Sequence, residues 1–415
     1  MLKYNNRICK LIANSMAVTL LVGCSSNLDI TPKEYLKKNN SEISINNEDD
    51  FSGMKIMNDD LKNAKVILTG EMHAIDKNSK LELKIIKYLQ KEIGLKYILD
   101  EAGYSNTYFI NQYLETGDEE ILKKSFSYVK GTVGHNQDSY DFYKDLYGFN
   151  KNLKDEDKLS VIGIDIEHNA SSSYNYLLDV IEKYNISNDK LNLLLSTLKK
   201  ILSGDNQIDN LQKQIQLVLS DINSNYKHYE SILGKDLFGF KLVLENINTK
   251  IETDLDRTNN SDIRENQIYK NFKSIDSVLD DAKYFGQFGA YHVIQDAYKH
   301  KSFADSYIES FASKLDKDNE FKDKVISIMY SYSDKKRANN KEFSPKDELF
   351  DSYINSDSSD CILFDLNKDN SPFEKEFIWP LKSDIEVIEG SSTTDYIQYL
   401  LLIKNPNQSK YLNVE

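Results

Sequence analysis

Short apolar runs alternate with helical periodicity along most of this chain. The runs are Lys65–Thr69, Tyr97–Leu99, Ser160–Ile164, Tyr284–Phe288, Val325–Met329 and Cys361–Phe364. Each is rich in Val, Ile, Leu, Tyr or Phe and short enough to be a buried strand. Between the first two, Leu81, Ile85, Ile86, Leu89 and Ile93 recur on one helical face. Strand, helix, strand at this spacing is a βαβ unit and requires parallel pairing. The pattern therefore predicts an α/β fold with a mainly parallel central sheet flanked by helices. Residues 173–260 interrupt the alternation with long helical patterns such as Leu191-Leu193-Leu194-Leu195-Leu198, and no strand is predicted there. They read as an inserted helical subdomain, either a lid or wall over a cleft or a packing layer without a gating role. Residues 335–358 and 366–375 are polar and read as loops.

The N-terminus changes the picture. Lys3, Arg7 and Lys10 precede an apolar stretch, Leu11 to Val22, that is short for a membrane span. It ends in Leu21-Val22-Gly23-Cys24, which resembles a bacterial lipobox. That resemblance implies a signal peptide over 1–23, cleavage before Cys24 and diacylglycerol on its thiol, giving a cell-membrane, extracytoplasmic location. Two acyl chains anchor stably where one is marginal. Residues 24–60 are polar and read as a tether with room for one short helix, leaving 61–415 as the folded domain. Of the three cysteines, Cys9 leaves with the signal and Cys24 takes the lipid, so Cys361 is alone and no intramolecular disulfide is expected. Cys361 opens an apolar run and reads as a small core residue. The net charge of −14 and the lack of a basic stripe exclude the usual nucleic-acid binder.

In a parallel α/β sheet, ligands bind at the carboxyl ends of the strands. The residues just past each predicted strand are therefore informative: Glu71-Met72-His73 after the first, Glu101 after the second, Asp165-Ile166-Glu167-His168 after the third and Tyr291-His292 after the fourth. Such carboxylates and imidazoles support water activation by a histidine that takes a proton and returns it. Glu71 and His73, two apart, share one side of a strand end. Arg264 lies on a helical pattern with Ile268 and Asn271, and an arginine facing the sheet needs a carboxylate or an anionic ligand group. The other reading of Arg264 is an exposed salt bridge to Glu265 or Asp262. His135, in Gly131-Thr132-Val133-Gly134-His135, belongs to a loop able to enter the cleft. His228 and His300 lie in polar stretches and read as solvated. No cofactor is expected. Glu71, His73, Glu101, Asp165 and His292 are of types that suit zinc or manganese, but no closed ligand spacing such as His-Glu-x-x-His occurs, so a metal stays open.

These segments, in this order, resemble the erythromycin-esterase-like superfamily. Gly70-Glu71-Met72-His73 before an amphipathic helix, then Asp100-Glu101-Ala102-Gly103, is similar to its opening. Phe142-Tyr143 through Asn150, Gly163-Ile164-Asp165, Arg264-Glu265 through Asn271, and Ala290-Tyr291-His292 are similar to its later motifs. The resemblance implies a metal-independent hydrolase of a small-molecule ester or lactone. His73 would be the general base assisted by Glu71, while His292, Arg264 and Glu101 bind and polarise the carbonyl. The superfamily also includes haem-binding lipoproteins, so a haem- or iron-binding surface protein without turnover is the alternative. Three departures set this chain apart from antibiotic esterases. One residue, not two, separates Glu71 from His73. Gly289 stands where a second histidine is expected. The acid and arginine expected soon after the first histidine are not evident in 74–84.

Overall fold

The computed structural model describes residues 30–186, 188–204, 210–255, 260–300, 306–333, 342–356, 359–383 and 385–413. The expected signal segment and the lipidation residue Cys24 lie outside them. Eight strands form one sheet: β1 (Asn40–Ile43), β2 (Val66–Glu71), β3 (Tyr97–Gly103), β4 (Ser160–Asp165), β5 (Tyr284–Gly289), β7 (Val325–Ser333), β8 (Cys361–Asp365) and β10 (Tyr399–Lys404). Their order is β1-β8-β10-β7-β2-β5-β3-β4. Every pair from β10 to β4 is parallel, and β8 runs antiparallel to both β10 and β1. A separate antiparallel pair joins β6 (Tyr298–His300) and β9 (Ile385–Val387).

All six apolar runs are strands of the main sheet. β2 is central and buried along its whole length, which explains its unbroken Val-Ile-Leu run rather than an alternating one. Fully burying each such side chain contributes about 1.5–3 kcal/mol. Helix α3 (Asp76–Ile93) turns Leu81, Ile85, Ile86 and Leu89 inward and ends on Gly94 in the left-handed conformation (φ 67°), the usual helix stop. One sheet face carries α3 and α6 (Gln137–Asn150); the other carries α12 (Asn260–Asp276) and α13 (Phe311–Lys317). Between β4 and β5 every described element is a helix: α7 (Ala170–Lys183), α8 (Asp189–Leu202), α9 (Leu211–Ser224), α10 (Tyr226–Leu233), α11 (Asp236–Leu255) and α12. Helices α7 to α11 enclose a core of their own, which also takes in Phe109 of α4 (Tyr104–Thr116). None of the described helices is long and apolar enough to cross a membrane.

Three expectations need correction. The proposed tether is part of the sheet: β1 pairs with β8 at the sheet edge, while α1 (Pro32–Lys38), with its Thr31/Glu34 capping box, is a short helix of the kind expected there. A polar edge strand needs few apolar side chains, because one ladder of backbone hydrogen bonds and Ile43 hold it. The loops predicted at 335–358 and 366–375 contain α14 (Asp347–Ile354) and α15 (Pro372–Lys375). His300, expected in solvent, is 4% exposed and contacts Glu342. Cys361 is a buried free thiol on β8, as a core residue should be.

Candidate active site

The carboxyl ends of β2, β3, β4 and β5 meet on one edge, where parallel strands aim successive side chains at the same space. Glu71 is the last residue of β2, and His73 comes two residues later. Ala74 then adopts the left-handed region (φ 61°), which costs an alanine about 1–2 kcal/mol. The bend is held by Ser409 N donating to Ala74 O (2.9 Å).

Glu71 is 8% exposed. One carboxylate oxygen contacts His73 Nδ1 and the other accepts from Asn78 Nδ2. Asn78, on α3, is held in turn by Tyr332 of β7, whose hydroxyl donates to Asn78 Oδ1 (3.0 Å) and accepts from Met72 N (3.0 Å). The carboxylate thus orients the imidazole through Nδ1 and leaves Nε2 for the cleft. His73 rises to about 9, chiefly through the Glu71 hydrogen bond, with burial opposing; burial raises Glu71 itself. The half-exposed ring packs over Gly289, where an added Cβ would lie 3.2 Å from His73 Nε2.

Glu101 is the hub of the opposite wall. Its Oε1 accepts from Arg264 Nη2 (2.8 Å), lies 3.2 Å from His292 Nε2 and 4.0 Å from His73 Nε2. Its Oε2 accepts from Gly289 N (2.6 Å). Burial works to raise its pKa, but His292, Arg264 and His73 together hold it well below the usual carboxylate range. Behind it, fully buried Asp165 accepts from Arg264 Nε through both oxygens (3.0 and 3.1 Å) and contacts His168 Nε2 (3.0 Å). Burial opposes ionisation there too, yet the Arg264 charge brings Asp165 down to about 2. Arg264 is therefore no surface salt bridge: it ties β3 to β4 from α12, whose Asn271 also donates to Ile164 O (2.8 Å). No hydrogen bond among the described residues uses its Nη1.

A cavity of about 470 Å³ opens on this wall, lined by Glu71, His73, Asp100, Glu101, Tyr143, Glu167, His168, Arg264 and Gln287, and by Thr132–Gly134. The Glu167 carboxyl, raised by burial to about 7, accepts from Ser105 N (3.0 Å) and Ser105 Oγ (2.5 Å). Asp100 is likewise raised by burial and accepts from Tyr143 Oη (2.6 Å).

Of the residues predicted for the site, Glu71, His73, Glu101 and Arg264 line this cavity together. Asp165 does not line it; it is the buried counter-ion beneath Arg264. His292 touches Glu101 but lines an adjacent cavity of about 440 Å³ beside Glu265, Tyr291 and Tyr298. His135 is not among the lining residues, and its backbone N closes a turn on Thr132 O (3.2 Å). Asn78, Tyr332 and Glu265 went unread because each acts through a partner remote in the chain. Asn78 alone carried a signal: it lies in the first turn of the helix that follows Glu71 and His73. Among the described residues, no group of three or more His, Cys, Asp or Glu is arranged to hold a metal ion.

The molecule is an α/β protein with a histidine–carboxylate cleft at the carboxyl edge of a parallel sheet. Its fold matches that of solved structures that include an erythromycin esterase. A variant of the erythromycin esterase EreC in its open conformation superimposes with a TM-score of 0.66 at 11% identity, over 90% of this chain and 100% of that one. A Bacillus cereus protein of unstated activity (15% identity) and a succinoglycan biosynthesis protein (14%) each match with a TM-score of 0.66, over 92% of this chain and 98% of theirs. No protein-family model and no curated protein sequence matches the chain.

Proposed function

We propose that this protein is a lipid-anchored surface hydrolase that cleaves an ester or lactone in a small molecule, with His73 and Glu71 activating water. The observation that carries the reading is the Asn78–Glu71–His73 series, which fixes the imidazole through Nδ1 and turns Nε2 to the cavity beside Arg264. Water attacks the carbonyl carbon as His73 Nε2 takes its proton. The new C–O bond leaves a tetrahedral oxyanion, for which Arg264 Nη1 is the available donor. On collapse the acyl–oxygen bond breaks, and the imidazolium returns its proton to the departing alkoxide. General-base help of this kind supplies about 10²–10⁴-fold. Gly289 keeps Nε2 uncovered where a side chain would crowd it.

The shared fold with an erythromycin esterase supports the reaction class, and the departures at Met72 and Gly289 argue against assuming the same substrate. Purified protein lacking the first 23 residues is assayed against aryl esters, lactones and peptides, with and without chelator. Ester or lactone turnover abolished by His73→Ala, with circular dichroism unchanged, is the expected result. Absence of turnover, or turnover that survives the substitution, overturns it, and a Soret band on adding haemin without turnover points to the binding alternative. The anchor rests on Leu21-Val22-Gly23-Cys24 alone and is tested separately: labelled palmitate enters the full chain and is lost in Cys24→Ser.

A further inference from the structure

Behind Glu101 lies a second histidine–carboxylate couple. Glu265 Oε2 accepts from Phe311 N at the start of α13 (2.6 Å), and its Oε1 lies 2.5 Å from His292 Nδ1. That approach is an ion-pair contact rather than an aligned hydrogen bond, since Nδ1 has no hydrogen-bond partner. The couples 71/73 and 265/292 stand on either side of Glu101, but their exposures differ. The His73 side chain is 47% exposed and that of His292 is 11%.

The groups facing His292 are Glu265 and Arg264 from α12, Glu101 from β3 and His73 from the segment after β2, with the Phe288 ring 6.4 Å away. Burial, Arg264 and His73 disfavour the imidazolium. The two carboxylates outweigh them, and His292 stands at about 10. Without Glu265, Glu101 is the main carboxylate left to favour that charge, and Glu101 is already shared with Arg264.

The distances around Glu101 Oε1 show what this charge achieves. Arg264 at 2.8 Å and His292 at 3.2 Å occupy the oxygen, while His73 Nε2 stands off at 4.0 Å, beyond hydrogen-bond reach. A carboxylate oxygen has two lone pairs. Were His292 neutral, Glu101 would keep only the Arg264 charge and the repulsion between the two imidazoles would vanish, so His73 would be drawn in as the second cation and held more firmly as an imidazolium.

We propose that Glu265 is a positioning residue: by holding His292 as a cation, it keeps Glu101 occupied and His73 free to act as a base. The base role rests on the hydrolase reading; the electrostatic linkage from Glu265 to His73 does not.

The test is Glu265→Gln, which keeps an acceptor for Phe311 N. Histidine ring resonances of the full mature chain are titrated by NMR. The His292 midpoint falls by about one pH unit or more, and that of His73 rises. With p-nitrophenyl acetate, the alkaline rise in kcat moves to higher pH. The rate at pH 7 drops about tenfold for each unit of the His73 shift, with KM unchanged. In a His292→Gln background, Glu265→Gln adds nothing to the His73 midpoint. An unmoved His292 midpoint, or a lowered one with His73 unmoved, overturns the proposal. Should Glu265→Gln fail to fold, His292→Gln alone must raise the His73 midpoint, and its failure to do so is equally decisive. If no ester is hydrolysed, the NMR arm still decides, so the loss of one reading is distinguished from the loss of the other.

Discussion

Asp165 lies wholly buried beneath Arg264, whose Nε reaches both of its carboxylate oxygens, at 3.0 and 3.1 Å. The pair joins β4 to α12 across 99 residues of sequence and leaves Arg264 directed at Glu101. Positioning and stability therefore rest on the same contact.

Asp165→Asn removes the charge and leaves the guanidinium with Glu101 alone. Breaking a buried pair costs about 3–5 kcal/mol, and the lower end is expected because Glu101 remains. Denaturant unfolding measures it. The wild-type pH dependence is set by the sign of the shift. Asp165 is depressed to about 2, so its contribution is complete above the unfolded value of about 3.9. It is lost as pH falls through 2. Wild-type stability that stays flat across this window would contradict the assignment.

His73 is raised to about 9, so its base form is the minority species at neutral pH. Ester hydrolysis is expected to climb with pH and level off near 9. Its stabilising contact with Glu71 runs the other way: it is fully present below the unfolded histidine value of about 6.5 and lost as pH rises through 9. A rate profile that levels off near 6.5 would remove His73 from the role of base.

Tyr332→Phe deletes the hydroxyl that accepts from Met72 N and donates to Asn78 Oδ1, so the buried Asn78 amide loses that donor. A loss of about 1–3 kcal/mol is expected, together with a fall in kcat larger than any rise in KM, since Glu71 loses its brace. Thermal unfolding and steady-state kinetics on the same preparation check both.

Gly163→Ala places a Cβ 2.4 Å from Gly103 O and 2.5 Å from Ala102 O. These are backbone atoms of the paired strand and cannot swing away, so β3 and β4 must part just below Glu101. The variant should express mainly as insoluble protein. A soluble variant with unchanged Tm would show that the strands separate at little cost.

Much of the sheet is legible in the sequence, because a strand buried on both faces announces itself as an uninterrupted apolar run. Tyr399–Lys404 is such a run, yet it escapes prediction: three successive leucines suit a buried helix as well as a strand. β1 fails for the opposite reason, since an edge strand can be nearly all polar. Around the cleft, Glu71, His73, Glu101 and Arg264 are readable from strand ends and one helical motif. Asp165 and His292 are found by the same logic, but the geometry turns them away from the cavity to serve Arg264 and Glu101. Asn78 and Tyr332 are invisible as a pair, being 254 residues apart, and proximity of that kind is created only by folding.

The position of β10 has a consequence for how the molecule is made. The last strand in chain order lies between β7 and β8, well inside the sheet. A nascent polypeptide that has emerged only as far as residue 398 has a slot two strands in from one sheet edge, with two hydrogen-bonding edges unzipped. Completion of the sheet must wait for residues 399–404 to arrive, so the β1–β8 edge joins the parallel strands only once they are in place.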